Sequence, residues 1–180
     1  FKEALELLEN KSRTFHKEAY QKVTFYRGLE LYNTANYIEA KKQFENSLSS
    51  SIDLIFKARA TYWKAEAEYQ LSNFKNAYDG FIDFKNMSLS AQLDEFKNLD
   101  YNLAYTYFKQ TEYALAIKTF QAFIATQPVN VTLLNDAFLR LGDSYFVTTQ
   151  YSPAIDAYRA ALKLAKMIKK NIIWMILTIF

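Results

Sequence analysis

Side chains able to do chemistry are few and scattered in this 180-residue chain. It has one histidine, His16, and no cysteine, so Cys–His pairs and histidine-based triads lack raw material. His16 lies in the polar segment Arg13 to Lys17, beside a predicted helix start, where an imidazole is normally solvated. Glu66 and Glu68 are two residues apart, so on a helix they point to different faces and make a poor acid/base pair. No group of carboxylates has the spacing of a calcium loop. Gly28, Gly80 and Gly142 stand alone, and none belongs to a phosphate-cradling loop. The expectation is no catalytic residue, no metal and no cofactor. Aromatic residues are abundant instead, at 17% of the chain, and they recur in a pattern.

Four segments share one spacing: a small residue, an aromatic nine further on, Ala three later and an aromatic four later. They are Gly28, Tyr37, Ala40, Phe44; then Ala65, Phe74, Ala77, Phe81; then Ala104, Tyr113, Ala116, Phe120; then Gly142, Tyr151, Ala154, Tyr158. Successive copies are offset by 37, 39 and 38 residues, which defines an internal repeat. Residues three and four apart share a helical face, so the last three members of each set form one stripe. Each unit therefore predicts two antiparallel helices. Small residues sit where the helices cross closely, and aromatics fill the space around them. Turn-forming residues stand between the paired helices: Asn33-Thr34-Ala35-Asn36, Ser72-Asn73 and Thr148-Thr149-Gln150. Pro153 after Ser152 suits a first helical turn behind a capping residue.

This pattern resembles the tetratricopeptide repeat family from about Ala19 to Ala165. The run Arg140 to Tyr145 matches the family's first helix, and Phe120, Phe123 and Pro128 match the end of a unit. The first two units depart from the family by carrying Thr24, Arg27, Thr61 and Glu68 where apolar groups are usual. The resemblance implies an all-α, right-handed superhelical solenoid of antiparallel helix pairs, with about four repeats and a partial N-terminal one. The expected divisions are 1–15, the second helix of a truncated preceding repeat; 16–52, 53–92, 93–130 and 131–168, repeats one to four; and 169–180, an apolar tail. Tyr62-Trp63-Lys64-Ala65-Glu66-Ala67 is similar to first helices of bacterial envelope repeat proteins, such as the β-barrel assembly lipoprotein and the Tol-Pal coordinator. By that analogy the compartment is the periplasm or cell envelope, with the cytoplasm as the alternative.

In this family first helices line a concave groove. By position the lining comprises Phe25, Leu29, Tyr32 and Asn33; Tyr62, Glu66, Tyr69 and Gln70; Tyr101, Tyr105, Phe108 and Lys109; and Leu139, Asp143, Phe146 and Val147. Tyr32, Tyr69, Phe108 and Phe146 form a column that is aromatic in every unit. Aromatic rings anchor partners because they bury much area with few rotors, but such rings also pack between neighbouring helices.

The implied function is a protein–protein interaction scaffold that binds a peptide or partner protein, with no enzymatic activity. The alternatives are an RNA-binding helical repeat and the regulatory repeat region of a larger enzyme. A net charge of +3 with mixed signs is too weak for a nucleic-acid footprint, and the groove offers only Lys22, Arg59 and Lys109 as bases. The end of the chain reads Ile172-Ile173-Trp174-Met175-Ile176-Leu177-Thr178-Ile179-Phe180, behind Lys166, Lys169 and Lys170. A spanning helix needs about twenty apolar residues, so this run is too short alone. It fits an out-of-frame or truncated tail, a final packing helix, or the start of a membrane segment.

Overall fold

The computed structural model describes Glu3 and residues 14–179, with side chains from residue 17 to residue 170. The expected helix over residues 1–15 falls almost wholly outside the described residues. Eight α-helices follow in order: α1 (Thr14–Asn33), α2 (Tyr37–Ser50), α3 (Leu54–Gln70), α4 (Phe74–Asn86), α5 (Leu99–Lys109), α6 (Tyr113–Ala125), α7 (Val131–Val147) and α8 (Tyr151–Ile179). Among the described residues there is no strand. The chain forms two compact units, residues 1–99 and 100–180.

Each pair is closed by the same tight turn. Ala35, Ser72, Thr111 and Thr149 are left-handed, with φ of 59°, 63°, 64° and 61°. The N–H of the following residue reaches back to the carbonyl five before it: Asn36 to Leu31 and Asn73 to Glu68 at 2.9 Å, Glu112 to Tyr107 at 3.0 Å, Gln150 to Tyr145 at 2.9 Å. These bonds satisfy carbonyls that a helix end leaves open. A glycine would adopt this conformation without strain, yet none of the four turns has one.

Side-chain caps open α3 and α7, two of the helices that begin a new pair. The Asp53 carboxylate accepts from the N–H of Ile55 at 2.9 Å and Phe56 at 3.3 Å at the head of α3. Asn130 does the same for Thr132 and Leu133 at α7. Ser152 is not a cap, because α8 already begins at Tyr151; Pro153 still falls in the first turn, where its missing N–H costs nothing. Between α4 and α5 the chain forms two 3₁₀ turns, Ser90–Gln92 and Asp94–Asn98, so α5 starts only at Leu99.

The N-terminal unit packs Phe25, Ala40, Phe44 and Ala60 at its centre, with Leu29, Phe56 and Trp63 against them. The C-terminal unit packs Ala104, Ala116, Phe120, Phe123, Ala137 and Leu141. Close crossings explain the small residues. A Cβ on Gly28 would lie 2.5 Å from the Phe44 ring, one on Gly142 would lie 2.5 Å from the Tyr158 ring, and one on Gly80 would lie 2.8 Å from Ala65 Cβ.

Thr24, Thr106, Glu68 and Gln21, polar residues in the core, all have hydrogen-bond partners, whereas the buried Oε1 of Gln43 has none among the described residues. Thr24 and Thr106 donate to the carbonyls four residues back, both at 2.8 Å, which leaves their methyl groups for packing. Buried Glu68 is held by Lys41 at 3.1 Å and Asn73 at 2.8 Å. Gln21 is fully buried; its oxygen accepts from the N–H of Ile52 and Asp53, and its amide donates to the Asp53 carbonyl. Gln21 thereby ties α1 to the α2–α3 connection.

Candidate functional site

First helices carry two stripes at helical spacing: Arg59, Trp63, Glu66 and Gln70 on α3, and Asp136, Arg140, Asp143 and Val147 on α7. In the N-terminal unit the α3 stripe meets α1. The Arg59 guanidinium lies over the Phe25 ring, 4.8 Å from its centroid, and the Trp63 ring meets Tyr32 edge-on at 5.2 Å. The Tyr32 hydroxyl donates to Glu66 Oε2 at 3.2 Å and accepts from Gln70 Nε2 at 3.4 Å. Desolvation pushes the Glu66 carboxyl up to about 7, because the phenols of Tyr62 and Tyr32 that donate to it offset burial only in part. Glu95, from the 3₁₀ segment, closes the other end of the stripe: it accepts from Arg59 Nε at 2.7 Å and Trp63 Nε1 at 3.1 Å.

In the C-terminal unit the α7 stripe meets α5 through hydrogen bonds. Tyr101 and Tyr105 both donate to Asp136 Oδ2, at 2.9 and 2.5 Å. Arg140 donates through Nε to the Tyr105 hydroxyl at 2.9 Å and through Nη1 to Asp143 Oδ2 at 2.7 Å. Tyr158 on α8 donates to Asp143 Oδ1 at 2.9 Å. Desolvation raises the Tyr101, Tyr105 and Tyr158 phenols above their ordinary value, so they remain protonated donors across the physiological range.

Two expected groove residues belong elsewhere. Phe25 has no exposed surface and packs against Phe44 and Phe56, and Tyr62 is buried against Phe81 and Phe84. Their positions face the second helix of a pair, so neither ring is open to a partner. Leu29, Tyr32, Glu66, Tyr69, Tyr101, Tyr105, Phe108 and Asp143 are half-buried, whereas Asn33, Gln70, Lys109, Leu139, Phe146 and Val147 are exposed.

The aromatic column has a structural partner in every pair. Each ring meets edge-on the aromatic that opens the next helix: Tyr32 with Tyr37 at 5.2 Å, Tyr69 with Phe74 at 5.4 Å, Phe108 with Tyr113 at 5.7 Å, Phe146 with Tyr151 at 5.6 Å. These rings clasp the hairpin turns. Phe146 nevertheless keeps 57% of its surface exposed and Val147 keeps 53%.

Sequence reasoning missed Trp63, Asp136 and Arg140 as part of this surface. The signal was available: Asp136 and Arg140 complete the stripe that contains Asp143 and Val147. Among the described residues, no group of three or more His, Asp or Glu side chains is placed to hold a metal ion. The α7 stripe sets fixed donors and acceptors beside exposed Phe146 and Val147, whereas Gln70 is the exposed member of the α3 stripe.

Residues 101–166 match the family model TPR_16, Tetratricopeptide repeat. This segment carries tetratricopeptide repeats. Such repeats generally mediate protein–protein interactions and are generally non-catalytic scaffolding. The fold is similar to the crystal structure of BtubC (BKLC) from P. vanneervenii, with a TM-score of 0.73 and 14% identity over 89% of this chain and 67% of that one. No curated protein matches the sequence. Each unit is built from helix pairs, and its first helices carry the stripes described above.

Proposed function

We propose that this chain is an interaction scaffold that holds a peptide or partner protein against the exposed side of its first helices. The observation that carries this reading is on α7. Leu139, Phe146 and Val147 are exposed beside Arg140 and Asp143, whose side chains are already fixed by hydrogen bonds. Groups held in one rotamer lose little entropy on binding, and exposed apolar groups next to them supply buried area. Lys109 on α5 adds an exposed polar group in the same unit, and Asn33 and Gln70 are exposed on the first helices of the N-terminal unit. The likeness of Tyr62 to Ala67 to envelope repeat proteins supports a bacterial envelope assembly as the setting.

Site-specific photo-crosslinking tests the proposal. A crosslinker at Phe146 or Lys109 should yield discrete protein adducts, while one at exposed Lys118 on α6 should not. Equal labelling from all three positions, or no adduct from the first two, would overturn the reading.

A further inference from the structure

Helix α8 does more than close the last pair. It runs 29 residues, from Tyr151 to Ile179, whereas α2, α4 and α6 run 14, 13 and 13. Its partner α7 has only 17 residues. Asn135, one turn into α7, donates to the carbonyl of Ala161. The two helices are antiparallel, so the part of α8 beyond about residue 165 runs past the start of α7. Ala161 is the last buried residue of α8 among those described.

This overhang has a marked composition. Lys163, Lys166, Lys169 and Lys170 are exposed, and none has an ion-pair partner among the described residues. No acidic residue occurs after Asp156. Leu162 and Met167, among these lysines, keep 55% and 47% of their surface exposed. After Asn171 the sequence turns apolar from Ile172 to Ile179, broken only by Thr178, and the helix continues through it.

A helix with consecutive apolar residues has no polar side, so it needs apolar surroundings all round. A protein groove covers one face of such a helix, whereas lipid surrounds it. Uncompensated lysines immediately before the apolar run complement anionic headgroups and can bury their stems while keeping the ammonium groups wet. From Ile172 to Ile179 the helix advances about 12 Å, enough to reach the acyl boundary. Among the described residues no helix is long and apolar enough to cross a membrane.

We propose that α8, from Leu162 onward, seats on an anionic lipid surface, with Lys163, Lys166, Lys169 and Lys170 at the headgroups and the Ile172–Ile179 run in the acyl boundary. Such seating would tether the repeats to a membrane while leaving their first helices free.

The test uses the full chain with vesicles of phosphatidylcholine alone or with roughly a third phosphatidylglycerol. The chain should float with the anionic vesicles, with binding on the order of a hundredfold weaker to neutral vesicles and in K163E/K166E/K169E/K170E. Raising salt to about 0.5 M should also release it. Tryptophan emission should shift to the blue on binding, and Trp174→Phe should abolish that shift. The charge-reversed lysines are exposed, so its circular dichroism melt should match the native chain. Should the variant fail to fold, the salt and lipid dependence of the native chain still decides. Equal binding to neutral and anionic vesicles, or none to either, overturns the proposal. So does a Trp174 emission already blue-shifted without lipid that depends on protein concentration, which would assign the apolar run to a protein contact.

Discussion

The N-terminal and C-terminal units solve the same packing problem with different chemistry. Phe25 stands ten residues before the left-handed Ala35, and Tyr101 stands ten before the left-handed Thr111. Trp63 precedes Ser72 by nine, as Arg140 precedes Thr149. At these matched positions the N-terminal seam sets the Arg59 guanidinium over the Phe25 ring and Trp63 edge-on to Tyr32, whose hydroxyl donates to a desolvated Glu66. The C-terminal seam joins two tyrosines, two aspartates and an arginine in one hydrogen-bonded chain. The repeat thus prescribes the helix pair and its small crossing residues but leaves the seam between first helices free to vary. One repeated helix pair can therefore present different surfaces in the two units.

The layer common to both units gives the largest expected effect. Phe44→Ala and Phe120→Ala should each cost about 3–5 kcal/mol, because both rings are fully buried at corresponding positions. Lys118→Ala, exposed on the same helix as Phe120, should stay within about 0.5 kcal/mol. Urea denaturation checks all three, and equal losses for Phe120 and Lys118 would break the assigned register.

The seams should separate by pH. Folding raises the Glu66 pKa from 4.5 to about 7, so the folded state holds a proton that the unfolded state has released. Stability from this group is fully present below pH 4.5, falls as pH rises toward 7, and stays low above that. The loss is about 3 kcal/mol at most. Glu66→Gln should flatten that window and be the more stable protein at pH 8. Asp143→Asn in the C-terminal seam should instead destabilise throughout, because it weakens bonds from Arg140 and Tyr158.

Crossing residues sharpen the comparison further. Gly28→Ala and Gly142→Ala should each cost about 1–3 kcal/mol, since the new methyl meets a ring. The cost should be greater at Gly28, where Phe44 is enclosed, than at Gly142, where the half-exposed Tyr158 can yield. Thermal melts that reverse this order would mean the N-terminal crossing is the looser one.

The smallest effects lie in the turns. Thr111→Gly and Thr149→Gly should stabilise by about 0.5–1 kcal/mol, as β-branched residues fit the left-handed region poorly. Ala35→Gly should gain less. A destabilised Thr149→Gly would show that its hydroxyl, which donates to the Thr148 carbonyl at 2.7 Å, outweighs the strain.

Much of the helix pairing was legible because it rests on side-chain volume at fixed spacing. Ala40, Ala77, Ala116 and Ala154 are all buried, as are Phe44, Phe81 and Phe120. The candidate surface was less legible. Phe25 and Tyr62 read as groove residues but lie in the core, since one position along a helix rotates a side chain by about 100°. Glu66 read as a groove carboxylate, and only its burial in the folded chain, which outweighs the hydrogen bonds from Tyr62 and Tyr32, raises its pKa.

The sequence by itself determined that this chain is all-helical and built from repeated pairs, because periodic size and apolarity act locally and leave few alternatives. Only the tertiary structure decided which aromatic rings clasp turns, which tyrosines serve aspartates, and where α8 outruns its neighbour. Those outcomes depend on contacts between residues more than thirty positions apart, such as Tyr32 with Glu66 and Tyr101 with Asp136, and on where one helix ends against another.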